Sequence, residues 1–304
     1  MMTLRNALVG ALAVVSLAAC GTATPASDSG KIKVVTSTNV WGSVVQAVGG
    51  DAVEVKALLD DPSADPHSYE SKPADAALVK DAKLVVFNGG GYDDFFAKLI
   101  TSDATKKVEA FPLRDDHSKP QTGTPDADGH DHSVNEHVWY DLHTVRAVAE
   151  AAANELGAIA PDRKTTFEKN TADFSAKLEE LEKKVDGIGK GKKVAATEPI
   201  AHYLLDETGA EDVTPEAFSK AIEEESDVPA AALAEMNKLV EGKQINVLVE
   251  NTQTENQVTK QVVEKAKTAG VPVVQVTETL PAGVTGYLDW MSKQVDALAQ
   301  ALKA

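Results

Sequence analysis

Between Pro161 and Gly187 the chain carries one long amphipathic pattern, and it limits the fold more than any other feature. Phe167, Phe174, Leu178, Leu181 and Val185 recur every three, four or seven residues, the spacing that lines one face of an α-helix. Pro161 falls in the first turn, where its missing N–H costs nothing, and Gly187 lies past the end. At 1.5 Å per residue such a helix is roughly 40 Å long, enough to cross a whole domain. The preceding stretch, Leu142 to Leu156, is also helical. Residues 142–190 therefore predict a rod of linker helices with something to join on either side.

On each side lies an array of strand and helix patterns. Over 31–141, Ile32 to Ser37 reads as a buried strand, followed by a helix near Val40 to Val48 that stops at Gly49-Gly50. Val53 to Leu59 is a second strand, Pro73 opens a helix running to about Lys80, and Leu84 to Phe87 is a third strand closed by Asn88-Gly89-Gly90-Gly91. A further helix is expected near Asp93 to Ile100. Over 191–304 the plan repeats: strands at Lys193 to Thr197, Ile245 to Val249 and Val271 to Val276, with helices from Pro199, from Asp227 and Pro229 to Gly242, around Val258 to Gly270, and from about Gly286 to Leu302. Short apolar runs alternating with helical patterns imply parallel sheets covered by helices. The expected fold class is α/β, with two lobes joined by a long linker helix.

The N-terminus addresses the compartment. Arg5 precedes the apolar run Ala7 to Ala18, which closes in Leu17-Ala18-Ala19-Cys20. A short apolar run with a basic start and small residues at its end predicts a signal peptide over 1–19, whereas a spanning helix takes about 20 apolar residues. Cys20 is the only cysteine, so no intramolecular disulfide is possible. Leu-Ala-Ala-Cys resembles a bacterial lipobox, whose Cys becomes the lipidated first residue of the mature chain; an ordinary signal peptide with a nearby Cys is the alternative. Residues 20–30 then read as a flexible tether. No second apolar run is long enough to span a bilayer. A net charge of −17 argues against nucleic acid or an anionic lipid surface as partner, since both would be repelled.

Four potential metal ligands are spread over the two arrays. His67 lies in Asp65-Pro66-His67-Ser68-Tyr69-Glu70, just past the second strand, and loops beyond the carboxyl ends of strands are where doubly wound sheets collect ligands. His137 lies in Asn135-Glu136-His137-Val138-Trp139-Tyr140-Asp141, before the linker helices, with His143 as a rival and Asp141 as a candidate to orient its ring. Glu198 ends the strand Lys193 to Thr197, with His202 as a rival. A lone carboxylate there equally suits the positive end of a helix dipole. Glu278 ends the strand Val271 to Val276. Each residue alone reads as an ordinary loop side chain. Together they occupy the loops where a two-lobed protein would build a site between its lobes.

These segments carry a resemblance. From about Lys31 to its C-terminus the chain resembles the solute-binding lipoproteins of bacterial zinc and manganese ABC importers, the group joined by a rigid helix. Asp65 to Glu70 resembles the family's first-ligand motif, Glu136-His137-Val138-Trp139 its second, and Thr197-Glu198-Pro199 with Tyr203-Leu204 its third. Thr277-Glu278-Thr279-Leu280-Pro281 falls where the family places its last carboxylate. The resemblance implies a divalent cation in the interlobe cleft held by His67, His137, Glu198 and Glu278. It also implies a membrane permease with its ATPase as partners, and a lipid anchor through Cys20 on the outer face of the cytoplasmic membrane. Glu rather than His at the third position, and Glu where Asp is common at the fourth, are departures that weaken the case for zinc over manganese.

The segment 112–134 contains His117, His130 and His132 with Asp126, Asp128 and Asp131 among Pro and Gly. It reads as a loop without apolar periodicity, and in the family such loops accompany zinc. An auxiliary capture role and a plain solvated acidic loop are the two readings. Glu223-Glu224-Glu225 reads as solvated charge. Catalysis finds little support. Gly89-Gly90-Gly91 lacks the Lys-Ser/Thr of a phosphate loop, and neither His-Glu-x-x-His nor Gly-x-Ser-x-Gly occurs. The expectation is a monomeric binding protein for Zn2+, with Mn2+ as the alternative cargo. A metal-buffering surface lipoprotein or adhesin, and a metalloenzyme on the same scaffold, are the competing readings.

Overall fold

The computed structural model describes residues 30–62, 69–114 and 135–303. In the N-terminal half β1 (Ile32–Thr38), α1 (Asn39–Gly49), β2 (Val53–Leu59), α2 (Pro73–Asp81), β3 (Leu84–Phe87), α3 (Asp94–Ala97) and β4 (Lys106–Glu109) follow one another. Two long helices come next, α4 (Leu142–Ile159) and α5 (Lys164–Val185). The C-terminal half contains β5 (Lys193–Ala196), α6 (His202–Thr208), β6 (Glu211–Asp212), α7 (Glu216–Glu223), α8 (Ala230–Glu241), β7 (Val247–Asn251), α9 (Gln257–Ala269), β8 (Val273–Val276) and α10 (Tyr287–Lys303).

Each half builds one four-stranded parallel sheet. The strand orders are β2-β1-β3-β4 and β6-β5-β7-β8, so the two halves repeat one topology. In both, the chain leaves the first strand on one side and returns on the other. That reversal opens a crevice beyond the carboxyl ends of β1 and β3 in one sheet and of β5 and β7 in the other.

The inner strands β1, β3, β5 and β7 are buried on both faces over most of their length, and the period of two sorts their side chains between layers. Leu84 and Val86 of β3, Val194 and Ala196 of β5, and Val247 and Val249 of β7 enter one continuous core with α1, α4, α5 and α10. The alternate residues face outward layers. Val85 and Phe87 pack with Val79 and Phe96, and Ala195 and Leu248 pack with Phe218, Met236 and Val262.

Helix α5 draws on both halves. Phe167, Phe174, Leu178, Leu181 and Val185 are all buried. The Asn170 amide donates to the Val48 carbonyl at the end of α1 (2.9 Å). The Phe174 ring lies 6.2 Å from that of Tyr287 in α10, and Lys184 pairs with Asp296. Pro161–Arg163 forms a 3-10 turn rather than the first turn of the α-helix.

Two strands and one helix escape the sequence pattern. β4 is Lys-Lys-Val-Glu with only Val108 buried, and β6 is the exposed pair Glu211-Asp212. Both are sheet edges, where charge blocks further pairing and leaves no apolar run to read. α7 follows β6 directly and is too short to display its periodicity. The expected helix near Asp93 to Ile100 is a single turn, α3. No helix among the described residues is long and apolar enough to cross a membrane.

Candidate metal centre

The crevice of the C-terminal sheet carries three buried polar side chains. Glu198 lies just beyond β5, Asn251 is the last residue of β7, and Glu278 lies just beyond β8; each is about 1% exposed. The Asn251 amide nitrogen donates to Glu198 Oε2 at 2.7 Å and to Glu278 Oε1 at 2.9 Å. One amide thus holds two carboxylates. Gln253 fixes the second of them from behind: its Oε1 accepts from the backbone N–H of Glu278 (2.6 Å) and of Thr279 (3.0 Å).

The N-terminal sheet contributes the turn after β3. Gly89, Gly90 and Gly91 have φ of +75°, +67° and +95°, a region closed to most side chains. A Cβ on Gly89 would lie 2.4 Å from Glu109 Oε1, and one on Gly90 2.5 Å from the Phe111 ring. The Asp93 carboxylate staples the turn by accepting from the backbone N–H of Asn88 (2.6 Å) and Gly89 (2.7 Å). Burial raises its pKa to about 6, against the opposing pull of those hydrogen bonds. The turn delivers the Tyr92 hydroxyl to Glu278 Oε2 at 3.0 Å. Burial, then the charge of Glu278, hold the Tyr92 pKa well above its ordinary value, so it remains an O–H donor.

His137 is fully buried at the start of a 3-10 turn, Val138–Tyr140. Asn135 clamps it. The Asn135 amide nitrogen donates to the Pro199 carbonyl (2.7 Å), which fixes the amide's orientation. Its oxygen then accepts from the His137 backbone N–H (2.9 Å) and faces His137 Nδ1 at 2.8 Å. Since that oxygen can only accept, Nδ1 carries the proton and Nε2 keeps its lone pair in the neutral ring. Nε2 points to Glu223 Oε1, 3.4 Å away at the C-terminus of α7. The His137 ring also contacts Trp139 (centroids 5.1 Å) and Tyr92 (6.2 Å).

Of the expected ligands, Glu198 and Glu278 meet at Asn251, and His137 reaches the same neighbourhood through Tyr92, which touches both His137 and Glu278. His67 lies outside the described residues, as do Cys20, His117, His130 and His132. The two rival histidines are engaged elsewhere. His143, on α4, sits 3.7 Å from Glu182 with its side chain 45% exposed, and His202 sits 3.4 Å from Asp206. Asp141 does not orient His137. It caps α4, accepting from the His143 N–H at 3.0 Å and from Thr144; Asn135 takes the orienting role.

Glu223 is the chief residue the sequence reading missed. It is the first of three consecutive glutamates, the only one of them not exposed, and no local signal separates it from its neighbours. Among the described residues, the three ligand-type side chains whose donor atoms lie within 4.8 Å of one another are Glu136, His137 and Glu223. Asn251 and Tyr92 were equally unforeseen, because they act through the carboxylates.

The donor set suits a divalent cation. Imidazole nitrogen and carboxylate oxygen are ligands zinc accepts, and the oxygens also suit manganese. Asn251 and Tyr92 are neutral donors: they orient the carboxylate oxygens without cancelling their charge. Two buried carboxylates sharing one amide favour a cation between or beside them.

Comparison with known proteins agrees with this chemistry. The family described as zinc-uptake complex component A, periplasmic (ZnuA), matches residues 34–301. The zinc-binding lipoprotein AdcA of Streptococcus pneumoniae (strain ATCC BAA-255 / R6) is 28% identical over 311 residues, covering 96% of this chain; the chain spans 60% of the length of AdcA. The iron ABC transporter substrate-binding lipoprotein MtsA of Streptococcus pyogenes serotype M1 is 28% identical over 245 residues, covering 73% of this chain and 77% of MtsA. Among solved structures, the Mn-bound periplasmic metal binding protein of Candidatus Liberibacter asiaticus superposes with a TM-score of 0.68. It is 20% identical and covers 90% of this chain and 100% of that one, a likeness of fold.

Proposed function

The chain belongs to the zinc-uptake complex component A (ZnuA) family, and from that membership we propose that it captures a divalent transition metal outside the cytoplasm and delivers it to a membrane ABC permease and its ATPase. The role is binding and transfer, not catalysis. Zinc is the cargo we assign, with manganese second. Lipid on Cys20 would hold the protein, a monomer, at the outer face of the cytoplasmic membrane. The ligands would be His67 and His137 from 31–141 and Glu198 and Glu278 from 191–304, either side of the linker helices 142–190. The segment 112–134, with His117, His130 and His132, would raise the local metal concentration without supplying the tight site.

One observation carries the reading: a single amide, Asn251, holds two buried carboxylates at the crevice of a parallel sheet. The same contact supports zinc. Each carboxylate gives one oxygen to Asn251, and Glu278 gives its other oxygen to Tyr92; hydrogen bonds that already engage these oxygens favour one-oxygen coordination by each carboxylate. It yields the four-coordinate shell zinc adopts, whereas two-oxygen coordination would raise the coordination number towards manganese's preference. The names of the relatives span zinc, iron and manganese and do not choose among them.

The experiment is elemental analysis of protein purified without added metal, followed by competition between Zn2+ and Mn2+. We expect one equivalent of tightly held zinc. Growth of a mutant lacking this protein that is rescued by manganese but not by zinc would reverse the choice of cargo. Protein that binds neither metal tightly would remove the proposal.

A further inference from the structure

We propose that Asn39, the first residue of α1, is a positioning residue for Glu278. From the N-terminal half its amide holds the turn that carries Glu278, and so slows the escape of a bound cation. This rests on the metal-binding reading above and adds a residue that lies in none of the ligand motifs.

The contact has two points. Asn39 Oδ1 accepts from the Leu280 backbone N–H at 2.9 Å, and Asn39 Nδ2 donates to the Leu280 carbonyl at 3.3 Å. A primary amide has one accepting and one donating end, so it fits both backbone groups of one residue in a single orientation. Leu280 is itself anchored. It is 4% exposed, and its side chain joins the core that contains Val40, Val44 and Val48 of α1.

The rest of the turn is gripped from both halves. The Tyr140 hydroxyl donates to the Thr277 carbonyl (2.8 Å), and the Thr277 hydroxyl donates to the Thr279 carbonyl (2.8 Å). Gln253, which accepts from the N–H groups of Glu278 and Thr279, also donates from Nε2 to the Pro62 carbonyl at 3.1 Å. Asn39 completes this series at Leu280, two residues after Glu278. A turn held at so many backbone groups passes a shift of Leu280 on to the Glu278 carboxylate. His137 belongs to the N-terminal half, whereas Glu198 and Glu278 belong to the other and share Asn251. A cation held by both halves leaves by parting the Glu278 turn from the N-terminal half. The Asn39 bonds resist that parting.

One substitution separates this role from a role in helix α1. The first turn of α1 contains no acidic residue, and a carboxylate there suits the positive end of the helix dipole. Asn39→Asp therefore supports the helix, but it sets a carboxylate oxygen against the Leu280 carbonyl in place of a donor. Asn39→Ala removes both bonds without adding charge. Gln46→Ala removes a bond to the Gly50 carbonyl at the far end of the same helix and leaves the turn alone.

The experiment measures Zn2+ dissociation into excess chromophoric chelator by stopped flow, with affinity by competition. Zn2+ is the probe because a nitrogen and oxygen site holds it more tightly than Mn2+. Orienting partners of ligands typically contribute 10–100-fold in affinity, and Asn39 acts through the backbone. Both Asn39 variants should therefore release Zn2+ about tenfold faster and bind it about tenfold more weakly, with Gln46→Ala matching the wild type. Wild-type dissociation in both Asn39 variants would overturn the proposal while leaving the metal-binding reading intact. An equal acceleration in Gln46→Ala would trace the effect to α1 and overturn it too. Wild-type protein that takes up no Zn2+ would overturn both.

Discussion

Tyr92, on the turn after β3, donates its hydroxyl to Glu278 Oε2, beyond β8, at 3.0 Å. The bond ties the two halves together at the candidate metal centre. Both residues are buried, so the lost donor cannot be replaced readily by water. Tyr92→Phe removes it without changing the packing of the ring. Orienting partners of ligating carboxylates typically contribute 10–100-fold in affinity, and metal titration of this variant should show a loss of about tenfold. The metal-free protein should also unfold about 1–3 kcal/mol more easily, because a buried acceptor loses its partner. An unchanged affinity would mean that Glu278 does not touch the cation.

Asn251→Ala probes the other grip on the carboxylates. Without the shared amide, Glu198 and Glu278 lose the contact that holds one oxygen of each. Both carboxylates are then freer to turn and to offer a second oxygen, with Tyr92 still on Glu278 Oε2. Zn2+ affinity should fall by roughly 10–100-fold, and Mn2+ affinity should fall less. The ratio of the two dissociation constants, measured by competition, is the quantity to follow. A ratio equal to that of the wild type would show that Asn251 has no part in selecting the metal.

The framework of this fold is legible in the sequence because its inner strands are buried on both faces. Leu84–Phe87 stands where its apolar run places it, the edge strand Val53–Leu59 keeps enough apolar residues to be read, and the α5 stripe is the buried stripe. β4 and β6 are not legible, since an edge strand built of Lys and Glu has no apolar signal. The candidate site divides the same way. His137, Glu198 and Glu278 are strand-end or motif residues and could be singled out. Asn135, Asn251 and Tyr92 act by holding other side chains, and nothing in local sequence marks a residue for that. Glu223 is hidden for a different reason: only the tertiary approach of α7 to the His137 turn distinguishes it from Glu224 and Glu225.

Asp93 gives a prediction in pH. Its pKa is raised from 3.8 to about 6, chiefly by burial. A carboxyl whose folded-state pKa is raised contributes stability below its unfolded value, and that contribution is lost as pH rises through the folded value. Between about pH 4 and pH 6 the folded protein should therefore lose stability relative to Asp93→Asn, which cannot ionise. Two units correspond to at most ~3 kcal/mol. Denaturant unfolding of both proteins across this window, without metal, measures the difference. A gap that widens in favour of the wild type as pH rises would contradict the assignment.

The last prediction concerns which histidines and carboxylates hold the cation. His67→Ala, His137→Ala, Glu198→Ala and Glu278→Ala should each abolish tight binding or weaken it by about 100-fold or more, since each removes a ligand rather than a supporting partner. His143→Ala and His202→Ala should change affinity little. His143 stands on the exposed side of α4 beside Glu182, and His202 stands beside Asp206 on the first turn of α6. Isothermal titration with Zn2+ on all six variants, each checked for native unfolding behaviour without metal, separates the two groups. The sharpest comparison is at the third position, where Glu198 and His202 are four residues apart and compete for the role. Glu198 holds the buried contact with Asn251 at 2.7 Å, whereas His202 faces a carboxylate that is 55% exposed. Loss of binding in His202→Ala with retention in Glu198→Ala would transfer the third ligand to the histidine and, with it, tilt the donor set further towards zinc.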